Sequence, residues 1–545
     1  MRVTGPVLAA AVLMFSSHAF AQTVNDPSLI VETVVSGLSL PTTMAFIGND
    51  DILVLEQHTG RVRRVTGGVL QPGDVLDLPV GGAIDNGLLG IALDPDFVNN
   101  HRLFLYYAES TIDGGAIFAN RVVRYTWDGS LLVDPRLILD FPDFGANEIG
   151  GIVNFGHDDK LYTLVGAMER SGKLQNVATG PDPDDSSVIL RTHTDGSGVP
   201  GNPFFTATGT LAPMKRYYAY GIRNSFGFAF DPVTGALWDT ENGPSVYDEI
   251  NRVDAGLDSG WEKLSGPMAR STQTEADLWL APGAHYGDPK FSWLRPVGVT
   301  AITFIQNPKL GCGRMHDVLV GNSNCGSLQH FVPNAARDGL VFSSPELADL
   351  VADNSVTKCT QEQTELAFGA GFGVASDMDT GPDGNLYVVD LAGGAIRRIK
   401  PSLAAAADAD ADGVADVCDC NAADAGSWSP TAEIPRVRLS GSGATSLGWD
   451  AQRGIVGPAV TYAVVSASLT SVRAAGSFAT ACTLGAGLTE SRLADLRSTP
   501  APGEGYVYLV RASNGCGAGS FGDASPVPDP RDALDAALPP PCGAR

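Results

Sequence analysis

The chain has 545 residues, of which 44% are hydrophobic, and this length leaves room for more than one domain. Its formal net charge of −25 argues against nucleic acid or an anionic membrane as a partner, because both require a cationic face. We interpret the acidity as a solvated surface, with attraction of calcium as a second contribution.

The first 21 residues have the features of a secretory signal peptide. An apolar stretch covers residues 6–15, and Ala19-Phe20-Ala21 follows it. A short apolar core with an Ala-x-Ala ending is typical of a cleaved signal, here with cleavage after Ala21. No later stretch approaches the roughly 20 apolar residues that a membrane span needs. The sequence therefore predicts a secreted or periplasmic protein without an integral membrane segment.

One pattern recurs along the next part of the chain: a short apolar strand, a polar turn and a second strand. Its six copies include residues 52–55, 103–106, 161–164, 237–238, 318–320 and 386–389. Repeated four-stranded units of this kind are typical of the blades of a β-propeller. The sequence therefore predicts an all-β fold with a six-bladed β-propeller over residues 28–402.

The most informative motif lies within the predicted propeller. Arg223 and Asn224 are followed by the turn sequence Asn242-Gly243-Pro244 and then by the acidic pair Asp248 and Glu249. This order resembles the central signature of the soluble pyrroloquinoline quinone (PQQ)-dependent sugar dehydrogenases, the glucose/sorbosone dehydrogenase family. The resemblance extends over the whole of the predicted propeller.

The resemblance implies an oxidoreductase that oxidises an aldose or oligosaccharide with PQQ and passes electrons to an acceptor. It implies cofactor contacts from Asp85, Arg223, Asn224 and Asn242. It also implies that carbonyl groups of the turn hold a calcium ion that bridges to the cofactor, which makes the predicted metal residues Gly243, Pro244, Asp248 and Glu249. In such a site Arg223 would polarise a carbonyl group as an electrophile.

The chain departs from the family pattern at several site positions. Glu148 stands where the family has its catalytic His, and Ala167 where it has the Asp that orients this His. Asp85 replaces a Gln, and two arginines that pair with cofactor carboxylates are absent from residues 374–377. Each close repulsive pair beside a tricarboxylate costs on the order of 1 kcal/mol, so these changes weaken PQQ binding. A buried Glu148 could act as a base with a raised pKa, which makes Glu148 and Arg223 the predicted catalytic residues.

Two other functions stay open. The first is a redox-inactive propeller that acts as a calcium-stabilised carbohydrate- or protein-binding module. Arg223 and Asn224 would then tie blades together, Gly243-Pro244 would be an ordinary turn and Glu148 an exposed loop residue. The second is a calcium-dependent, lactonase-like hydrolase, to whose axial ring Glu148, Asn224 and Asp85 could contribute.

The composition changes abruptly after the propeller. Residues 404–424 contain aspartates at alternate positions before Gly413, namely Asp408, Asp410 and Asp412, and then Asp416 and Asp419. Such spacing gathers carboxylates around one centre, as calcium prefers. The segment resembles a thrombospondin type 3 repeat, and we predict a calcium site that stiffens a joint between domains. The alternative is a flexible acidic linker.

The remaining residues form a predicted second domain and a tail. Residues 432–528 contain alternating strand patterns with Trp449 on an early strand, and they resemble a fibronectin type III sandwich. Residues 529–545, rich in Pro, Asp and Ala, are predicted to be disordered.

Eight cysteines in an exported chain favour disulfides over metal–thiolate sites. Position in one predicted hairpin favours pairing Cys312 with Cys325, and position in one domain favours pairing Cys482 with Cys516.

Overall fold

The computed structural model describes residues 22–83, 85–142, 145, 147–353, 359, 361–402, 407–441, 444–522 and 529–543. The predicted signal peptide, residues 1–21, lies outside the described residues. Most of the regular structure is β-strand. The α-helices are short and cover Phe97–Asn100, Arg453–Val456, Leu469–Ala475 and Asp532–Ala536. Short 3-10 helices cover Lys173–Gln175, Gly209–Arg216, Met268–Arg270, Glu275–Asp277, Pro308–Leu310, Cys312–Arg314, Pro345–Leu347 and Gln361–Thr364.

Six sheets surround a common axis, and the predicted six-bladed propeller is confirmed. The innermost strand of each blade contacts the innermost strands of the two neighbouring blades, so that these six strands form a ring. In order from blade 1 to blade 6 they are Pro41–Gly48, Leu88–Leu93, Gly150–Phe155, Ser225–Phe230, Val299–Phe304 and Ala375–Thr380.

The other strands of each blade follow outward from the axis. Blade 1 adds Asp51–Glu56, Arg61–Thr66, Val69–Leu70 and Leu76–Asp77, and blade 2 adds Arg102–Ser110, Ile117–Trp127 and Leu132–Pro142. Blade 3 adds Leu161–Val165, Val188–Thr192, Tyr217–Tyr220, Leu257–Asp258 and His285–Tyr286, and blade 4 adds Leu237–Glu241, Asp248–Val253, Phe291–Trp293 and Val351–Ala352. Blade 5 adds Val318–Asn322, Ser327–Pro333, Leu340–Val341, Ala367–Ala370 and Thr23–Val24, and blade 6 adds Leu386–Asp390, Ala395–Pro401 and Leu29–Ser36.

Two features hold the ring together. The strand Leu29–Ser36, from the amino-terminal end of the propeller, pairs with Ala395–Pro401 from its carboxyl-terminal end. Blade 6 is therefore closed by strands from both ends of the propeller. The inner strands also approach one another closely at glycines. A Cβ atom at Gly90 would lie 2.4 Å from the carbonyl oxygen of Gly151, and one at Gly227 would lie 2.4 Å from that of Thr300. A larger residue at either position would therefore force neighbouring blades apart.

The second domain is a small β-sandwich, as predicted. One sheet contains Val437–Ser440, Thr445–Trp449 and Arg492–Asp495, and the other contains Thr461–Ser468, Cys482–Leu488, Tyr506–Asn514 and Gly517–Ala518. Leu447, Trp449, Tyr462 and Val464 are buried between the sheets. The more specific fibronectin type III assignment stays a prediction.

The sandwich is docked on the face of the propeller where the inner strands end, which we call the lower face. Arg438 pairs through two nitrogens with Asp159, at 3.0 and 2.7 Å, in the turn after the inner strand of blade 3. Asn307 donates to the carbonyl oxygens of both Gly384 and Gly454. A cavity of about 1020 Å³ lies between the lower ends of the inner strands and sandwich residues such as Arg453 and Tyr462. The lower end of the axial channel is therefore covered by the second domain.

The two predicted disulfide pairings are wrong. The observed bonds are Cys312–Cys418, Cys325–Cys359, Cys420–Cys516 and Cys482–Cys542. Closeness in sequence did not decide them, because the linker crosses the lower face and brings distant loops together. One bond fixes the linker to blade 5 and another fixes it to the sandwich, so the joint is covalently held on both sides.

The predicted disordered tail is also wrong for residues 529–543. The segment contains the helix Asp532–Ala536, whose Leu534 is buried in a sandwich cluster with Val465 and Phe521. The amide of Cys542 donates to the carbonyl oxygen of Thr483 at 2.9 Å, beside the disulfide to Cys482. One apolar side chain and one disulfide therefore order a segment whose composition is otherwise that of a flexible tail.

Candidate ligand site on the upper face of the propeller

The predicted site residues meet at the face where the inner strands begin, which we call the upper face. Glu148 lies two residues before the inner strand of blade 3, and Arg223 and Asn224 lie directly before that of blade 4. The backbone of Glu148 is left-handed (φ 58°), which is uncommon for a residue with a side chain. Its carbonyl oxygen accepts from the amide of Met168 at 3.0 Å, and this contact holds the conformation.

The two predicted catalytic residues form an ion pair. Arg223 Nη2 lies 2.5 Å from Glu148 Oε1, and both side chains are largely buried. Arg223 Nη1 donates to the carbonyl oxygens of Asn242 at 2.9 Å and Gly243 at 3.2 Å. The guanidinium also lies 5.3 Å from the ring centre of Trp261. Arg223 therefore ties two loops together and neutralises Glu148 at the same time.

Asp85 and Asn224 complete the group. Asp85 Oδ2 accepts from the amide of Glu148 at 2.9 Å and from Asn224 Nδ2 at 3.3 Å. Asp85, Glu148 and Asn224 thus bring residues from blades 2, 3 and 4 to one place. Asn242, by contrast, directs its side-chain amide to the carbonyl oxygen of Val299 at 2.8 Å. This contact gives Asn242 a structural role between blades 4 and 5.

The electrostatics of the site are dominated by carboxylates. Burial raises the pKa of Glu148; Arg223 opposes this shift, while Glu169 and Asp85 add to it. Below Arg223, Glu241 Oε1 accepts from the backbone amide of Arg223 at 2.6 Å. Burial raises the pKa of Glu241 to about 7.

Sequence reasoning missed two of the buried acids beneath the site, Asp239 and Glu241. Asp239 and Glu241 occupy alternate positions of Leu237–Glu241, opposite Asn251 and Glu249 on the next strand. Asp239 and Glu249 are buried, and burial raises the pKa of both. Side chains at alternate positions of a strand lie on the same face of the sheet. The spacing of Asp239 and Glu241 was therefore the sequence signal that could have predicted this pair of acids.

The predicted calcium residues of blade 4 do not fit a calcium ion. The carbonyl oxygen of Gly243 already accepts from the cationic guanidinium of Arg223. Asp248 accepts backbone amides of Gly243 at 3.0 Å and Gly298 at 2.6 Å, and Glu249 accepts the amide of Gly266. Pro244 is exposed beside them. The Gly243 carbonyl oxygen and the carboxylates of Asp248 and Glu249 are therefore occupied by hydrogen bonds within the fold and are not free to bind calcium.

The residues of the upper face do not fit PQQ either. Ala167 is buried, and its amide donates to the carbonyl oxygen of Arg223, so no side chain orients Glu148 from this position. Ser376, where a family arginine is absent, bonds to the carbonyl oxygen of Pro41 at 3.0 Å. The one cation among the predicted site residues is paired with Glu148, and Asp85 lies beside them. A triply anionic cofactor would meet like charge.

The Asp-rich linker does fit calcium. Carboxylate oxygens of Asp408, Asp410 and Asp412 lie within 4.8 Å of one another. One buried oxygen of each, and one of Asp419, has no hydrogen-bond donor. Burial raises the pKa of Asp412 to about 6, and the charges of Asp410 and Asp419 add to the shift. Asp416 accepts the amide of Ala409 at 2.8 Å and closes the loop. Converging oxygens without donors are what a hard cation binds.

Among the described residues, no helix is long and apolar enough to cross a membrane.

A ring of six blades with a polar upper face is one of the architectures found in quinone-dependent sugar dehydrogenases, and comparison with known proteins decides whether the chain belongs with them. The family model described as glucose/sorbosone dehydrogenase matches residues 38–398, and the chain belongs to this family.

Several relatives share this region. An uncharacterised protein (slr1608) of Synechocystis is 27% identical over 396 residues, which cover 69% of this chain and 87% of the relative. Aldose sugar dehydrogenase YliI of Escherichia coli is 27% identical over 383 residues, which cover 68% of this chain and 92% of the relative.

Solved structures give the same result. A putative oxidoreductase (glucose dehydrogenase) from Thermus thermophilus is 27% identical, has a TM-score of 0.53, and matches 68% of this chain and 99% of its own. The PQQ-bound aldose sugar dehydrogenase of Streptomyces coelicolor is 23% identical, has a TM-score of 0.51, and matches 69% of this chain and 99% of its own, which supports the fold alone.

Proposed function

We propose that the upper-face site binds a carbohydrate and that it does not oxidise this ligand through PQQ. The observation that carries the proposal is the ion pair between Arg223 and Glu148. These residues occupy the positions at which the family places its electrophile and its base, and here each neutralises the other. Membership of a family whose named members act on sugars supports the ligand class.

The local contacts explain why sugar oxidation is disfavoured. A general base must be free to accept a proton from the substrate hydroxyl, and an electrophile must be free to polarise the quinone carbonyl. Glu148 is instead bonded to a guanidinium, and Arg223 also holds two backbone carbonyl groups. The partly exposed ring of Trp261 and the oxygens of Asp85 suit the apolar face and the hydroxyl groups of a sugar.

The test combines reconstitution with direct binding. Purified protein is incubated with PQQ and calcium, and dye reduction is measured with a panel of aldoses, while calorimetry measures binding of the same sugars. We expect saturable sugar binding that Trp261→Ala weakens, and no dye reduction. A quinone spectrum that the sugars reduce would overturn the proposal, and absence of sugar binding would overturn it as well.

A second candidate is PQQ-dependent aldose oxidation with Glu148 as the base. It is favoured by the family and by the raised pKa of Glu148, which is the direction a carboxylate base requires. A base acts in its unprotonated form, so the rate would rise with pH through this raised pKa. Glu148→Gln would abolish turnover. Dye reduction that lacks this pH dependence would exclude Glu148 as the base.

A lactonase-like hydrolase is the remaining alternative. Its axial calcium would need Asp85, Glu148 and Asn224, and these side chains do lie together. The guanidinium bonded to Glu148 opposes it, because a second cation at the same carboxylate would be repelled. Calcium-dependent hydrolysis of a lactone, lost in Asp85→Asn, would establish this function instead.

We also propose that Asp408, Asp410, Asp412 and Asp419 bind calcium in the linker. The unpartnered oxygens described above support the site. The predicted signal peptide and the four disulfides support export to an oxidising compartment, where millimolar calcium suits a weak extracellular site.

A further inference from the structure

We propose that the upper-face site selects an amino sugar, a monosaccharide with a protonated amine, over the neutral sugar of the same shape. The inference rests on the carbohydrate-binding function proposed above and names the class of sugar. It starts from charge: three carboxylates, those of Asp85, Glu148 and Glu169, act on one place, and a single guanidinium lies among them.

The three carboxylates are joined by short contacts. Asp85 Oδ2 accepts the amide of Glu148 at 2.9 Å, and the carboxylate of Glu148 accepts the amide of Glu169. Glu169 Oε1 in turn accepts from Asn147 Nδ2 at 3.0 Å, in the loop that leads to Glu148. The charges of both Asp85 and Glu169 raise the pKa of Glu148, as expected for carboxylates this close. Asp85, Glu148 and Glu169 are called the acid cluster below.

The guanidinium of Arg223 does not balance the acid cluster. Its Nη2 is bonded to Glu148, and its Nη1 to the carbonyl oxygens of Asn242 and Gly243. One positive charge therefore compensates one of three negative charges. The surplus favours a cationic ligand, because like charges at a few ångströms repel one another and a positive charge relieves this repulsion.

The side chain of Asn224, which lies beside the acid cluster, also favours a ligand that carries hydrogen-bond donors. Asn224 is 6% exposed, and its Nδ2 donates to Asp85 Oδ2 at 3.3 Å. Its Oδ1 has no hydrogen-bond donor. A buried acceptor without a donor costs free energy until something donates to it. Asn224 Oδ1 therefore lacks a donor beside a cluster that lacks positive charge, and an ammonium group supplies both.

The spread of the carboxylates favours a molecule over a metal ion. Among the described residues, three carboxylate oxygens come within 4.8 Å of one another only at Asp408, Asp410 and Asp412 in the linker. The acid cluster is wider than the coordination shell of one ion. An amino sugar can place its ammonium group at one carboxylate and its hydroxyl groups at the others.

The test compares three sugars by calorimetry with the full chain at low ionic strength. Glucosamine carries the charge, N-acetylglucosamine keeps the nitrogen without the charge, and glucose lacks both. We expect glucosamine to bind at least about tenfold more tightly than the other two. Asp85→Asn and Glu169→Gln should each remove most of this preference, measured as the ratio of the glucosamine affinity to the glucose affinity of the same variant. Asp532→Asn, at an exposed acid on the helix Asp532–Ala536, is the matched control and should change neither.

The possible results separate the two proposals. Equal affinity for the three sugars would overturn the amino-sugar inference and leave carbohydrate binding in place, whereas no binding of any sugar would overturn both. A preference that persists in Asp85→Asn and Glu169→Gln would also overturn the inference. If these variants fail to fold, raising the salt concentration on the unmodified protein replaces them: the preference for glucosamine must shrink, because salt screens charge. Displacement of glucosamine by calcium would show a metal site instead.

Discussion

Loss of Arg223 and loss of Glu148 should lower the free energy of unfolding by unequal amounts. Both side chains are largely buried, and burial already raises the pKa of Glu148, so its charged form is held at a cost that Arg223 offsets. Removing the cation leaves Glu148 charged or forces it to bind a proton, and it also frees two carbonyl oxygens. Removing the carboxylate leaves those other contacts of Arg223 in place.

We therefore predict that Arg223→Gln lowers the free energy of unfolding by about 3 kcal/mol, as expected when one partner of a buried pair is lost. Glu148→Gln should lower it by less than about 1 kcal/mol, because glutamine can still accept a hydrogen bond from Arg223. Chemical denaturation of the oxidised protein measures both values. Equal losses in the two variants would contradict this account.

Buried carboxyl groups predict how stability depends on pH. Burial raises the pKa of Glu241, Asp258 and Asp377 to about 7 each. In the unfolded chain these groups titrate near pH 4. Between the two values the folded protein binds more protons, so stability falls as pH rises from about 4 to 7 and levels off above the folded pKa.

The measurement is the thermal midpoint as a function of pH. The fall should be smaller in Glu241→Gln and in Asp377→Asn, since each removes one of the titrating groups. A midpoint that rises across this interval would show that these acids are ionised at little cost in the folded protein.

The sequence predicted which residues form the candidate site better than it predicted the bonds that these residues make. The family resemblance assigned Glu148, Asp85, Arg223 and Asn224 to one candidate site, and these residues lie together in the structure. It did not predict that Arg223 would bond to the carbonyl oxygen of Gly243, because every residue carries a backbone carbonyl and sequence does not single one out.

The linker is the element whose behaviour depends most on an ion. Its aspartates bring several carboxylate oxygens together, and few hydrogen-bond donors lie near them. Because these negative charges repel one another, they oppose folding of the loop until a cation binds. The disulfides at Cys418 and Cys420 tie the carboxyl-terminal end of the loop to blade 5 and to the sandwich in either state.

We predict that calcium raises the thermal midpoint of the protein and that a chelator lowers it. A ligand at about one hundred times its Kd stabilises by about 2.7 kcal/mol. Calorimetry should show binding heat that disappears in Asp410→Ala and Asp412→Ala and persists in Asp532→Asn. If calcium gives no heat, or if the Asp410→Ala and Asp412→Ala variants retain it, the linker site does not exist.

At the element scale, local patterns predicted strands well and cross-links poorly. Short apolar runs gave the second strand of each blade, next to the inner one, because a strand packed on both faces is apolar at successive positions. The disulfides depend on the path of the linker across the lower face, and no local pattern encodes that path.

The whole molecule is organised by the contact between the sandwich and the propeller. Arg438 is 11% exposed and bonds to Asp159 of the propeller and Asp450 of the sandwich. Lys309 lies 4.1 Å from the ring centre of Trp428, which adds a cation–π contact at the same face. The family fold was predictable from sequence, whereas the docking of the second domain was not, since its polar contacts join residues far apart in the chain.

We predict that Arg438→Ala loosens the sandwich without unfolding the propeller. Both Asp159 and Asp450 would lose their partner, and breaking such a partly buried network costs about 3 kcal/mol. Limited proteolysis should cut the second domain faster, while the disulfides keep the fragments linked. Arg473→Ala, at an exposed position of the helix Leu469–Ala475, is the control and should be cut at the original rate. Equal cleavage of the two variants would show that Arg438 does not hold the domains together.

Because the sandwich covers the lower end of the ring, the carboxyl-terminal domain and the candidate site lie on opposite faces of the propeller. The sandwich carries the final described segment, including Cys542, beneath the propeller, while Arg223 and the carboxylates around it face the opposite way. A bead, sensor chip or partner domain joined after Cys542 would consequently lie on the sandwich side of the molecule and leave the upper face open to solvent.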